Sequence, residues 1–133
     1  MTGTTNLTTL LKTMKPELHT VDFVFCTVSD ELSRYLNLEP IATFHEKEGL
    51  TLVLEKHQAQ RASLSFDGVF HQITLSVHSS LEAVGLTAAV SAQLTKYGIS
   101  ANVIAAYYHD HIFVPKDKAT QAMIALKELS ENS

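Results

Sequence analysis

The sequence predicts an α+β sandwich, an antiparallel sheet with helices on one side. Two observations point there. Segments with period-two alternation, such as Val69 to His78, lie between segments with helical periodicity, such as Leu86 to Tyr97. The order of segments reads strand, helix, strand, strand, helix, and repeats with a period of about fifty to sixty residues. The expected halves are residues 1–65 and 66–133, joined by Ser63-Leu64-Ser65-Phe66-Asp67-Gly68 with no long flexible linker.

The elements follow in order. Leu7, Leu10, Leu11 and Met14 fall at helical spacing, with Asn6 placed to cap and Pro16 to stop. Leu18 to Val28 reads as a strand whose end, from Val24, is apolar on both faces. Ser29 is placed to cap a short helix carrying Leu32, Tyr35 and Leu36. Ile41 to Glu46 and Leu50 to Lys56 read as strands, joined where Gly49 can take a positive φ. A short polar helix is expected near Gln58 to Ala62.

In the second half, Val69, Ile73, Leu75 and Val77 face one way, while Gln72, Thr74 and Ser76 face the other. Leu86, Ala89, Val90, Leu94 and Tyr97 line one side of a helix that Gly98 ends. Ile99 to Tyr108 and His111 to Val114 read as strands about a tight turn, and Pro115 stops the second. Ala119, Ala122, Met123, Leu126 and Leu129 line a last helix.

Composition narrows the function by exclusion. The chain has 133 residues, 45% of them apolar and 18% charged, which suits a globular domain and excludes wholesale disorder. A net charge of −4 lacks the basic footprint of a nucleic-acid binder. One cysteine, Cys26, allows no internal disulfide and suits a reducing cytoplasm. No apolar run reaches the roughly 18 residues of a membrane helix. Met1 to Leu11 carries no charge before Lys12 and so lacks a signal peptide's basic start. The expected location is cytoplasmic, with neither nucleic acid nor membrane as partner.

The segment from His78 to Pro115 is the most informative. Val84-Gly85-Leu86-Thr87-Ala88 and His109-Asp110-His111 resemble the wording of ACT-type regulatory domains, specifically a small bacterial group of tandem ACT-like proteins. Met14-Lys15-Pro16-Glu17-Leu18 and the run from Glu46 to Leu54 resemble the same group, so the resemblance covers most of the chain. It implies a ferredoxin-like, tandem ACT-like βαββαβ sandwich that binds an amino acid in metabolic control. Two complete repeats need eight strands and six are read. The repeats exchange strands, the Ser29 to Leu38 region hides one, or one half is degenerate.

The candidate ligand-binding residues are Ser79, Ser80, Gly85, Leu86, Thr87, Asn102, His109, Asp110 and His111. Without a Cβ, Gly85 lets a ligand carboxylate approach the N–H groups of Gly85, Leu86 and Thr87 at a helix start; alternatively it is only a helix-entry residue. Ser79 and Ser80 would add hydroxyl donors or cap the backbone locally. Asn102 sits where ACT ligand sites tend to place contacts, although hairpin chemistry also accounts for it. Three readings stay open for His109-Asp110-His111. It is a polar turn, or a ligand site in which Asp110 accepts from an α-ammonium, or a metal site completed by His71 or His78.

Cys26 lies mid-strand among apolar residues, which hides a thiol, and no nucleophile elbow, P-loop or dinucleotide fingerprint occurs. No catalysis and no cofactor are therefore expected. The leading function is a non-catalytic, amino-acid-binding sensor that works as a homodimer or larger assembly. The runner-up is a metal-binding or purely oligomerising module.

Overall fold

Residues 16–28 can serve a sheet along their whole length, because Leu18, Val24, Cys26 and Val28 supply one apolar face and Phe23 and Phe25 the other. In the computed structural model, which describes residues 6–76 and 85–133, they form the 13-residue strand β1, Pro16–Val28. Two compact units are present. One combines residues 1–20 with 71–133, and the other is 21–70. β1 gives its first segment, to Thr20, to one and its remainder to the other.

In the unit of residues 21–70, β2 (Ala42–His45) and β3 (Leu50–Glu55) continue from β1 in the order β2-β3-β1, both pairs antiparallel. Cys26 and Thr43 both register with Leu52. Val24, Cys26, Val28, Leu50, Leu52 and Leu54 share one core with Leu38 and with Ala59 of α2 (Lys56–Arg61). The helix expected after Ser29 is two short 3-10 turns, Leu32–Arg34 and Leu36–Leu38. Leu38 is buried but Leu36 is exposed, so no continuous apolar stripe holds a longer helix there. This region holds no strand, and β1 contributes to both units instead.

Gly49 takes a positive φ, 158, in the β2–β3 turn, as expected. Space requires glycine as well: a Cβ would lie 2.8 Å from the Val28 carbonyl oxygen and 3.0 Å from Thr27 Oγ1.

In the other unit α1 (Leu7–Thr13) begins as expected, with the Asn6 side chain accepting from the Thr9 N–H at 2.9 Å. Here the strand order is β1-β4-β6-β5, with β4 Phe70–Leu75, β5 Asn102–Ala105 and β6 Asp110–Pro115. Of β4, Phe70 alone belongs to the unit of residues 21–70. Helices α3 (Leu86–Lys96) and α4 (Ala119–Glu131) join α1 in burying Ile73, Leu75, Ile112 and Val114. Helices thus cover one side of the strands, giving the expected α+β ferredoxin-like arrangement.

Helix α3 ends as Gly98 predicts. Gly98 has φ 70, its N–H donates to Thr95, and the Ile99 N–H reaches back to Leu94, whose side chain shares the core with Ile99. The β5–β6 turn lies earlier than expected. Ala105 pairs with Asp110, the Ala106 N–H donates to the His109 carbonyl at 3.0 Å, and Asp110 and His111 already belong to β6. Tyr107 and Tyr108 occupy the exposed tip, edge to face at 4.9 Å.

Candidate functional site

The start of α3 places the glycine. Gly85 is the N-cap of α3 with φ 100, its carbonyl accepts from the Ala89 N–H at 2.9 Å, and no side chain caps the helix from the N-cap position. A Cβ on Gly85 would lie 3.1 Å from Leu7 Cδ2. The residue is thus needed for its backbone conformation as well as for closeness to α1. Leu86 is 3% exposed and packs in the core, so only its N–H could meet a ligand, whereas Thr87 is exposed. Ser79 and Ser80 lie outside the described residues.

On the hairpin, Asn102 pairs with Phe113 across the strands, and its side-chain amide donates to the Phe113 carbonyl at 3.2 Å. Cross-strand bonding therefore engages this amide, although the residue is exposed. Asp110 opens β6 half-buried. Burial pushes its carboxyl above the ordinary range, and His111 and His109 pull it back. His109 closes the turn through its carbonyl.

His111 belongs to a cluster on β1, β4 and β6. Its Nδ1 lies 3.0 Å from Thr74 Oγ1 and 3.0 Å from Gln72 Nε2, and the same Thr74 hydroxyl lies 2.9 Å from His19 Nε2. Burial lowers the pKa of His111, the charge of His109 adds to this, Asp110 opposes it and His19 lowers it further. Thr74 is 8% exposed. His19, Gln72 and Thr74 are absent from the residues singled out in the sequence. Their signal was the polar alternation Glu17, His19 on β1 beside Gln72, Thr74 on β4, continued by Ser76 just past it.

His71 is buried, and by the alternation of β4 it lies on the side of Ile73 and Leu75, opposite Gln72 and Thr74. His78 lies outside the described residues. Among the described residues no three His, Cys, Asp or Glu side chains gather closely enough to hold a metal ion. Cys26 is buried, and burial raises its thiol pKa. No helix among the described residues is long and apolar enough to cross a membrane.

Two family models described as ACT domain match residues 2–71 and 69–128. A crystal structure of a Vibrio cholerae protein of unknown function, described as a possible transport protein, is 62% identical, with a TM-score of 0.87 over 93% of this chain and 95% of that one. An Agobacterium tumefaciens protein shares the fold at 13% identity, with a TM-score of 0.74 over 88% of this chain and 89% of that one. The ligand-free regulatory subunit of aspartate kinase from Thermus thermophilus is 11% identical, with a TM-score of 0.63 over 89% of this chain and 99% of that one. No curated protein matches. With one ACT model matched over residues 2–71, a second over 69–128, and helices on one side of the strands, the chain belongs to the ACT domain family.

Proposed function

We propose that this protein is a non-catalytic regulatory module that binds an amino acid and passes the binding on as a change in assembly. The ACT domain matches along the chain carry this reading, and the shared fold of an aspartate kinase regulatory subunit agrees with it. The residues suit the two charged ends of an amino acid. At α3, backbone N–H groups beside Gly85 favour a carboxylate, with the helix dipole adding to the attraction. On β6, Asp110 is the acceptor for an α-ammonium, and a hydrogen bond to a charged group contributes roughly 1.5–3 kcal/mol.

The effector acts by linkage. A ligand that binds the assembled state more tightly shifts assembly by that difference in affinity and no more. Residues 1–65 and 66–133 are proposed as the two ACT-like halves, and the cytoplasm as the location. The test is a thermal-shift screen of the ligand-free protein against the twenty amino acids and, separately, divalent metals. A rise in Tm with one amino acid or a small group of them supports the reading. A response to metals alone would replace it with the metal-binding alternative, and no response at all would leave an oligomerising module.

A further inference from the structure

The cluster around His111 has a hydrogen-bond logic of its own. An amide nitrogen can only donate, so Gln72 Nε2 at 3.0 Å makes His111 Nδ1 an acceptor and places that ring's proton on Nε2. Thr74 can then meet the same nitrogen only by donating its hydroxyl proton, sharing the one Nδ1 lone pair with Gln72. With that proton committed, Thr74 offers His19 Nε2 only lone pairs, and His19 donates across 2.9 Å. The result is a one-way chain: His19 to Thr74, Thr74 to His111, with Gln72 donating to the same nitrogen.

A proton arriving at His111 Nδ1 conflicts with both donors. To keep every group paired, the Thr74 hydroxyl must turn to donate to His19, His19 must move its own proton to Nδ1, and Gln72 must rotate its amide to present oxygen. Protonation of His111 thus breaks the existing pairing until all three partners have rearranged.

We propose that His19, Gln72, Thr74 and His111 form a proton-operated latch across β1, β4 and β6, closed while both rings are neutral and loosened when His111 is protonated. Among the described residues, the ionisable neighbours lie on β1 and β6. His19 and Glu17 come from β1, and Glu17 accepts from Ser76 at 3.4 Å. His109 and Asp110 flank His111 along the chain, β4 places Phe70, Gln72 and Thr74 on this side, and β5 places Ile104 opposite His111. Burial of His111 resists its charging, so the unfolded chain takes up that proton first. The folded state accordingly loses stability as pH falls below about 6.5. The latch goes beyond amino-acid binding and stands without it.

The test uses the full chain without ligand. Ring-proton NMR follows each histidine from about pH 8 to about pH 5, with Tm measured alongside. In the wild type, His111 resists protonation and Tm falls on acidification. Thr74→Val removes a donor to the neutral His111 Nδ1, so the His111 curve should move to higher pH. An unchanged His111 curve in this variant, or a wild-type Tm indifferent to pH, overturns the latch. Should Thr74→Val fail to fold, His19→Gln gives the same comparison read at His111, whose curve must change; an unchanged one overturns the proposal. None of these readouts depends on an effector, so loss of the latch and loss of the amino-acid reading are distinguishable.

Discussion

Asp110 and Gly85 contribute to the proposed site in different ways, one through charge and the other through backbone. Asp110→Asn keeps the shape and removes the charge. Affinity for the amino acid that raises Tm should fall about tenfold or more by calorimetry. His109→Gln and His111→Gln should act more mildly; if the histidine changes dominate instead, with metal uptake lost, the site is a metal site. Gly85→Val should abolish the amino-acid shift, and it must also destabilise. With φ at 100 and Leu7 Cδ2 3.1 Å from any Cβ, the expected loss is about 1–3 kcal/mol in urea unfolding. Ser63 offers the opposite case. It holds φ 57 just past α2, where its N–H bonds Gln60 and the next N–H bonds Ala59, a position that glycine occupies without strain. Ser63→Gly should raise stability by up to about 1 kcal/mol.

At the level of the element, α3 and α4 show what a single buried polar contact contributes. Gln93, buried between them, donates to the Ala125 carbonyl at 2.9 Å. Gln93→Leu should cost about 1 kcal/mol, read as a lower urea midpoint with unchanged slope. Both helices were legible in the sequence because their burial is one-sided, which writes a period into the chain, and β4 because its apolar and polar residues alternate. The turns at 32–38 were not, since Leu32 and Leu36 copy a helical spacing too short to be decided locally. The β5–β6 tip was displaced because register depends on the pairing of Ala105 with Asp110, which neither strand shows alone. For the same reason Gly85 and Asp110 could be chosen from local wording, whereas the partners of His111 could not. Thr74 and Gln72 lie 37 and 39 positions from it, and the hydrogen bonds from His19 run through Thr74.

For the molecule as a whole, assembly is the property most open to measurement. A homodimer or larger species is expected, and light scattering that finds only a 14.7 kDa particle at high micromolar concentration would contradict it. The division of β1 carries a further consequence, for synthesis. Residues 21–70 are contiguous and can close as soon as they leave the ribosome, whereas Leu10, Leu11 and Met14 belong to a core completed by Ala122 and Leu126 of α4. The earlier segment thus waits for a later one. Until α4 has emerged, Leu10, Leu11 and Met14 lack part of their cover, and a chaperone that reads exposed leucine and methionine would find its target there before the fold can hide it.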